Sequence, residues 1–344
     1  MTAIMNGLAA DGKPPSLYTL SNASGMEVTV MDVGATWLSC KLPIDDEKRE
    51  VLLGVETMED FARQKVFLGA TVGRFANRIA GGRFKIDGQV FQAATNQSGN
   101  CLHGGLDGFD KRRWSLVEKS DSSVELSLVS ADGDQGFPGE LTVSVRYSLS
   151  EKNQLLIDYS ATTTAATPVN LTNHAYFNLL GAESDEDILG HRLQIRASHY
   201  LPTQADGIPF TEPEAVAGTS FDFNMTKPIS THLLADEQQR QANGYDHCYL
   251  LESQDNEPVA RLISPDSRVE MSVFTTKPGM QLYTGNWLAN TPNRLGGLYK
   301  DYQGVALETQ FYPDSPNRDW KESDAILRPG NQYKHSTSYE FAIK

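Results

Sequence analysis

The chain has 344 residues, 39% hydrophobic and 22% charged, with a formal net charge of −14 and no basic run. Phosphate-rich partners need clustered Lys and Arg, so this balance excludes nucleic acid and an anionic membrane surface. No apolar stretch approaches the roughly 18 residues of a membrane span. The opening MTAIMNGLAADGKPP lacks the basic-then-apolar order of a signal peptide. Cys40, Cys101 and Cys248 are widely spaced, with no CxxC, which reads as reduced thiols in a cytoplasmic protein. The NLT sequon at Asn170 is then expected to be idle.

In chain order, GMEVTVMDVG (25–34) is the first strand candidate and ETMEDFARQ (56–64) the first helix. GRFKIDGQVFQ (82–92) follows as strand. VELSLVS, ELTVSVRYSLS and QLLIDYSATTT (within 124–164) alternate apolar and polar residues, with ADGDQGFPG and SEKN as turns. That period of two predicts an antiparallel meander. HRLQIRA, RVEMSVFTT, GMQLYTG and SYEFAI continue as strands, and STHLLADEQQRQAN (230–243) is the second helix. The polar segments 181–187 and 252–257 read as surface connections, and none reads as a linker between domains. Many short strands without a βαβ rhythm predict one all-β domain over 1–344, a large antiparallel β-sandwich with few short helices.

Six segments break the alternation by setting polar side chains among glycines and aromatics. They are GRFANRIAGGRF (73–84), NQSGNCLHGGLDGFDKRRW (96–114), NLTNHAYFNLLG (170–181), NGYDHCYLL (243–251), MQLYTGNWL (280–288) and ALETQFYPDSPNR (306–318). Taken singly, most have a plain structural reading. Arg78 is a surface arginine with a packed stem, His103 caps a turn, His174 is a core histidine, and Asp246 caps a helix. Glu308 is harder to place, because a carboxylate inside an apolar strand is costly without a partner. Its bland alternative is a strand register that turns it to solvent.

No His or Cys pair has metal-ligand spacing, and DGDQG (132–136) fails as a calcium loop, so no metal site is expected. GxGxxG and GxSxG are absent, which leaves a dinucleotide site and a serine nucleophile unsupported. What remains is one imidazole, one carboxylate, and amides beside aromatic faces. That combination suits a sugar, whose apolar face stacks and whose hydroxyls each need a directional partner.

Together, in this order, the six segments resemble the aldose 1-epimerases, or galactose mutarotases, from about Leu17 to the C-terminus. The length and the DGDQGFPG turn are similar to the bacterial branch. The resemblance implies a mutarotase-like supersandwich that interconverts the anomers of free hexoses, chiefly galactose and also glucose, without a cofactor. It implies that His174 is the general acid and Glu308 the general base. It further implies that Asn77, Arg78, His103, Tyr176, Asp246 and Gln281 bind or shape the sugar site. The acid and base are expected on opposite sides of the sugar, with His174 as imidazolium and Glu308 kept ionised by nearby cations. A glycoside hydrolase, a non-catalytic sugar-binding module and an epimerase of phosphorylated or disaccharide substrates are the competing readings. A hydrolase usually needs two flanking carboxylates, and no cationic cluster for a phosphate is visible near Asp246. Monomer and homodimer stay equally open.

Overall fold

A computed structural model describes residues 2–252 and 257–344. Residues 253–256 of the expected 252–257 connection lie outside it. Three antiparallel sheets carry the architecture. The first has four strands, Leu17–Ser21, Glu27–Met31, Thr36–Ile44 and Glu47–Glu50. The second has nine, built around the predicted meander Ser123–Ser130, Leu141–Leu149 and Gln154–Thr163, and continues through Tyr333–Ile343 and Val269–Thr275. The third has six, in the order Tyr176–Phe177, Val305–Gln310, Gly279–Tyr283, Asp246–Leu251, Ala197–Tyr200 and Glu214–Ala215.

The period of two explains the meander. Val143, Val145 and Tyr147 alternate inward and pair with Ala161, Tyr159 and Ile157. Trp37 of the first sheet meets Tyr339 of the second at 5.3 Å and Phe177 of the third at 5.6 Å between ring centroids. Phe177 and Tyr339 close the triangle at 5.3 Å. All three rings are buried in one cluster, so the sheets share a core rather than flanking separate ones. Truncating such a ring costs about 3–5 kcal/mol.

The helices are short. Thr57 accepts from the Asp60 N–H and caps Met58–Arg63, within the expected 56–64. The expected helix 230–243 is split into a 3₁₀ turn, Ile229–His232, and a helix, Glu237–Ala242, capped by the Asp236 carboxylate. Leu234, between them, has a φ of 59°, which an α-helix cannot contain. A further helix, Thr2–Asn6, carries no periodic signal long enough to have been predicted.

Candidate active site

The six-stranded sheet positions the chemistry through simple alternation. On Val305–Gln310, Val305 and Leu307 enter the core, which turns Ala306 and Glu308 to the other face. On Gly279–Tyr283, Met280 and Leu282 enter the core, which turns Gln281 and Tyr283 outward with them. The register sets Gln281 directly opposite Glu308, and Tyr283 opposite both Ala306 and Asp246. Tyr176 also pairs with Ala306. Tyr176, Glu308, Tyr283 and Asp246 thereby line one cleft of about 320 Å³, with Gln281 buried behind them. That volume falls in the ~300–1,000 Å³ range of small-molecule sites.

Three non-sheet segments complete the wall. Asn170 is fully buried and clamps them together. Its amide donates to the carbonyls of Ala76 (3.1 Å) and Phe311 (3.3 Å), and its Oδ1 accepts from the Phe311 N–H (2.9 Å). One sequence word is thus tied to two others, and the buried sequon has a structural task. Four residues on, the His174 N–H donates to the Ala70 carbonyl at 2.9 Å. Asn173 is likewise structural, with its amide donating to the Gly69 carbonyl at 2.7 Å.

Arg78 and His103 come from a two-residue pairing, Arg78–Ile79 with Cys101–Leu102. Asn77 and His103 both have positive φ, 62° and 49°, which turns their side chains toward each other. The Asn77 N–H donates to His103 Nδ1 at 3.1 Å, and the His103 N–H donates to the Asn77 carbonyl at 3.0 Å. Gly104, at φ 90°, leaves no room for a side chain, because a Cβ would lie 2.0 Å from the Gly73 carbonyl oxygen. The Arg78 Nε donates to Gln97 (2.8 Å), and its guanidinium pairs with Asp246 at 3.6 Å. Gln281 donates to the other Asp246 oxygen at 2.6 Å.

His174 Nε2 and Glu308 Oε1 are 3.5 Å apart, with both side chains almost wholly buried. His174 Nδ1 and Glu308 Oε2 have no protein partner. The acid and base therefore stand side by side, not on opposite sides of a sugar-sized gap as expected. Their protonation is also inverted. Burial lowers His174 to about 4, against a smaller raising effect from its own backbone and Asp246. Burial and then Asp246 raise Glu308 to about 8, and Arg78 opposes this only in part. The expectation that cations keep Glu308 ionised fails in the free cleft because desolvation outweighs Arg78. Burial, with His174 and Arg78 adding to it, holds His103 well below its ordinary range. It is neutral, and because Nδ1 accepts from Asn77, its proton sits on Nε2.

His103, His174 and Glu308 bring one ligand-type atom each within 4.8 Å of one another, a cluster that sequence spacing could not reveal. The His103 tautomer makes that residue a hydrogen-bond donor toward the others, which suits an oxygen atom better than a metal ion.

Of the eight sequence-predicted residues, Asn77, Arg78, His103, His174, Tyr176, Asp246 and Glu308 line the cleft. Gln281 reaches it only through Asp246. Asp246 opens a strand and caps no helix. Sequence reasoning missed Phe67, Gln97, Tyr283, Trp287 and the 203–207 loop, all of which line the same cleft. Tyr283 and Trp287 lie within MQLYTGNWL, and Gln97 lies within the NQSGN word, so proximity to named residues was the available signal. Phe67 carried none.

Moving protons on a polyhydroxylated ring is the chemistry this wall can support, which places the chain among the acid–base sugar isomerases. The aldose 1-epimerase family model matches residues 16–340, and the chain belongs to that family. It is 48% identical over 338 residues to an aldose 1-epimerase of Escherichia coli K12, covering 97% of each chain. It is 40% identical over 296 residues to the human galactose mutarotase, covering 86% of this chain and 84% of that one. Among solved structures, an aldose epimerase homologue from C. elegans superposes with a TM-score of 0.86 at 28% identity. That match covers 96% of this chain and 99% of that one.

Proposed function

We propose that the enzyme interconverts the α and β anomers of free hexoses, chiefly galactose and also glucose, with His174 and Glu308 exchanging the protons. The supporting observation is their 3.5 Å separation, with one unpartnered buried atom on each. An anomeric carbon bears both oxygens that must change protonation, the C1 hydroxyl and the ring oxygen. Two groups side by side can reach two oxygens on one carbon. Glu308 takes the hydroxyl proton while His174 gives one to the ring oxygen, and the ring opens to the aldehyde. The C1–C2 bond rotates by half a turn, and the reverse transfers close the ring on the other face. The pair holds one proton before and after each turnover.

Sugar binding prepares this state. Hydroxyls donating to Glu308 favour its carboxylate, so the proton passes to His174. Neutral His103 and the Arg78 guanidinium hold oxygens near C1, and Asp246, braced by Arg78 and Gln281, anchors distal hydroxyls so that only the anomeric end swings. Names of relatives that specify galactose support that substrate.

Polarimetry of freshly dissolved α-galactose, α-glucose and maltose tests this reading. The enzyme should accelerate the approach to equilibrium, and Glu308→Gln should abolish most of the acceleration. A wild-type chain that leaves the spontaneous rate unchanged is a binding module, and one that releases reducing sugar from a glycoside is a hydrolase. We also place it in the cytoplasm as a monomer or homodimer. Its three buried free cysteines suit a reducing compartment, and light scattering decides the assembly.

A further inference from the structure

We propose that Phe67 is a positioning residue of the reaction, its ring held by a strained turn against His174 and His103 so that the imidazole stays dry and aimed at Glu308. This rests on the catalytic reading of His174 and Glu308 above. Phe67 lies four residues beyond the helix Met58–Arg63 and lines the cleft. Its φ is 59°, a left-handed conformation that a bulky side chain avoids unless its surroundings impose it.

The surroundings do impose it. Gln64 Oε1 accepts from the N–H groups of Val66 (2.9 Å) and Leu68 (3.4 Å), one on each side of Phe67. The Phe67 carbonyl accepts from the Ala70 N–H at 3.0 Å. The next residues are sewn to the catalytic histidine itself. The Gly69 N–H donates to the His174 carbonyl, and the His174 N–H donates to the Ala70 carbonyl, both at 2.9 Å. The turn and His174 therefore move as one unit.

The clamped backbone delivers the ring to the two histidines. Phe67 lies nearly parallel to His174, 20° between planes and 5.7 Å between centroids, and meets His103 edge-on at 4.6 Å. Tyr176 stacks on His174 as well, at 4.9 Å. An imidazole with an unpartnered Nδ1 has no hydrogen bond on that nitrogen to fix its plane. Ring contacts take over that task, and Phe67 is the one of the two supplied from outside the NLTNHAYF segment. The ionisable groups around His174 are Glu308 and Tyr176 from the sheet and His103 from its loop, with Asp246 and Arg78 beyond them. None of these is removed by changing Phe67.

The experiment measures kcat, KM and the pH dependence of kcat/KM for Phe67→Ala, Phe67→Tyr, Gln64→Ala and His174→Asn. Phe67→Ala should lower kcat about tenfold with KM within about threefold, as a misaimed catalytic group does. Water reaching the imidazole should also move the acid limb from about 4 toward the ordinary 6.5. Phe67→Tyr should restore both, and Gln64→Ala, which leaves the ring but frees the turn, should shift both part-way. If the loss lies wholly in KM, Phe67 is a sugar-stacking platform and the inference is overturned. It is equally overturned if kcat and the acid limb do not move. Should Phe67→Ala not fold, Gln64→Ala decides by the same two readouts. An inactive His174→Asn beside an unaffected Phe67→Ala sinks this inference alone, whereas an active His174→Asn sinks the catalytic reading beneath it.

Discussion

Glu308→Gln should make the protein more stable as it makes the enzyme inactive. Glu308 is 2% exposed, and its carboxyl is raised from the ordinary 4.5 to about 8. A raised carboxyl means that the folded chain binds the proton more tightly than the unfolded chain. Stability therefore falls as pH rises from about 4.5 to about 8 and levels off above. At pH 7 the unfolded side chain is ionised and the folded one is largely protonated. At 1.36 kcal/mol per pH unit over the two and a half units between 4.5 and 7, this group opposes folding by about 3 kcal/mol. Glutamine keeps the shape and removes the ionisation. For a chain of 344 residues, with an unfolding entropy of about 2 cal/mol/K per residue, the gain is a Tm rise of about 4 °C at pH 8. Near pH 5 the rise should almost vanish. His174 has its own pH dependence, but both proteins share it, so it cancels to first order in the difference. Scanning calorimetry of the pair from pH 5 to 8 measures the effect, and polarimetry on the same samples should show kcat down at least about a hundredfold. A variant less stable than the parent at pH 8, or a Tm difference that ignores pH, would refute the desolvation argument.

Catalysis needs one proton on the His174–Glu308 pair, whichever member holds it. The pH profile of kcat/KM should accordingly be a bell, lost below about 4 as His174 takes a second proton and above about 8 as the pair loses its only one. A single limb near 6.5 would contradict this. Nitrogen NMR of the His174 ring should report a neutral imidazole in the free enzyme at pH 6.5. It should move toward the imidazolium with a bound hexose analogue that cannot open; a spectrum unchanged by ligand would count against substrate-driven proton transfer. Gln281→Ala should raise KM about tenfold and change kcat less, since Gln281 acts by holding Asp246. A loss confined to kcat would place Gln281 at the anomeric carbon instead.

The sequence revealed the strands and the reactive pair for a common reason. Alternation is local, so the meander at 123–163 was visible, and a carboxylate in the apolar run VALETQF was visible against it. The helix at 230–243 was over-read because its amphipathic composition does not register the left-handed Leu234 that breaks it. What no local pattern carries is register between strands distant in the chain. That register sets Gln281 opposite Glu308 yet leaves it touching Asp246 in place of the cleft. Phe67 was invisible for a different reason. Its importance lies in a backbone conformation and a ring contact, and an aromatic after a short helix has the same letters in any core.

The distance and the protonation inversion together change the picture of how such a pair works. In water a histidine holds its proton about 2 pH units more tightly than a carboxylate, so a Glu–His pair rests as an ion pair. Here burial reverses that order, placing Glu308 near 8 and His174 near 4. The same burial that makes an ionised Glu308 expensive makes its charge responsive to whatever enters the cleft. A sugar brings hydroxyls to a carboxylate oxygen that lacks any protein partner, and so supplies the solvation that folding removed. The empty site therefore stores the unfavourable desolvation, and the correct ligand relieves it while moving the proton onto the acid. A fully hydrogen-bonded Glu308 would make a more stable protein with less reason to give up its proton only when substrate arrives. The orphaned atoms at His174 and Glu308 are in this sense the functional design, and the clamps at Asn170 and Gln64 are what let the fold tolerate them.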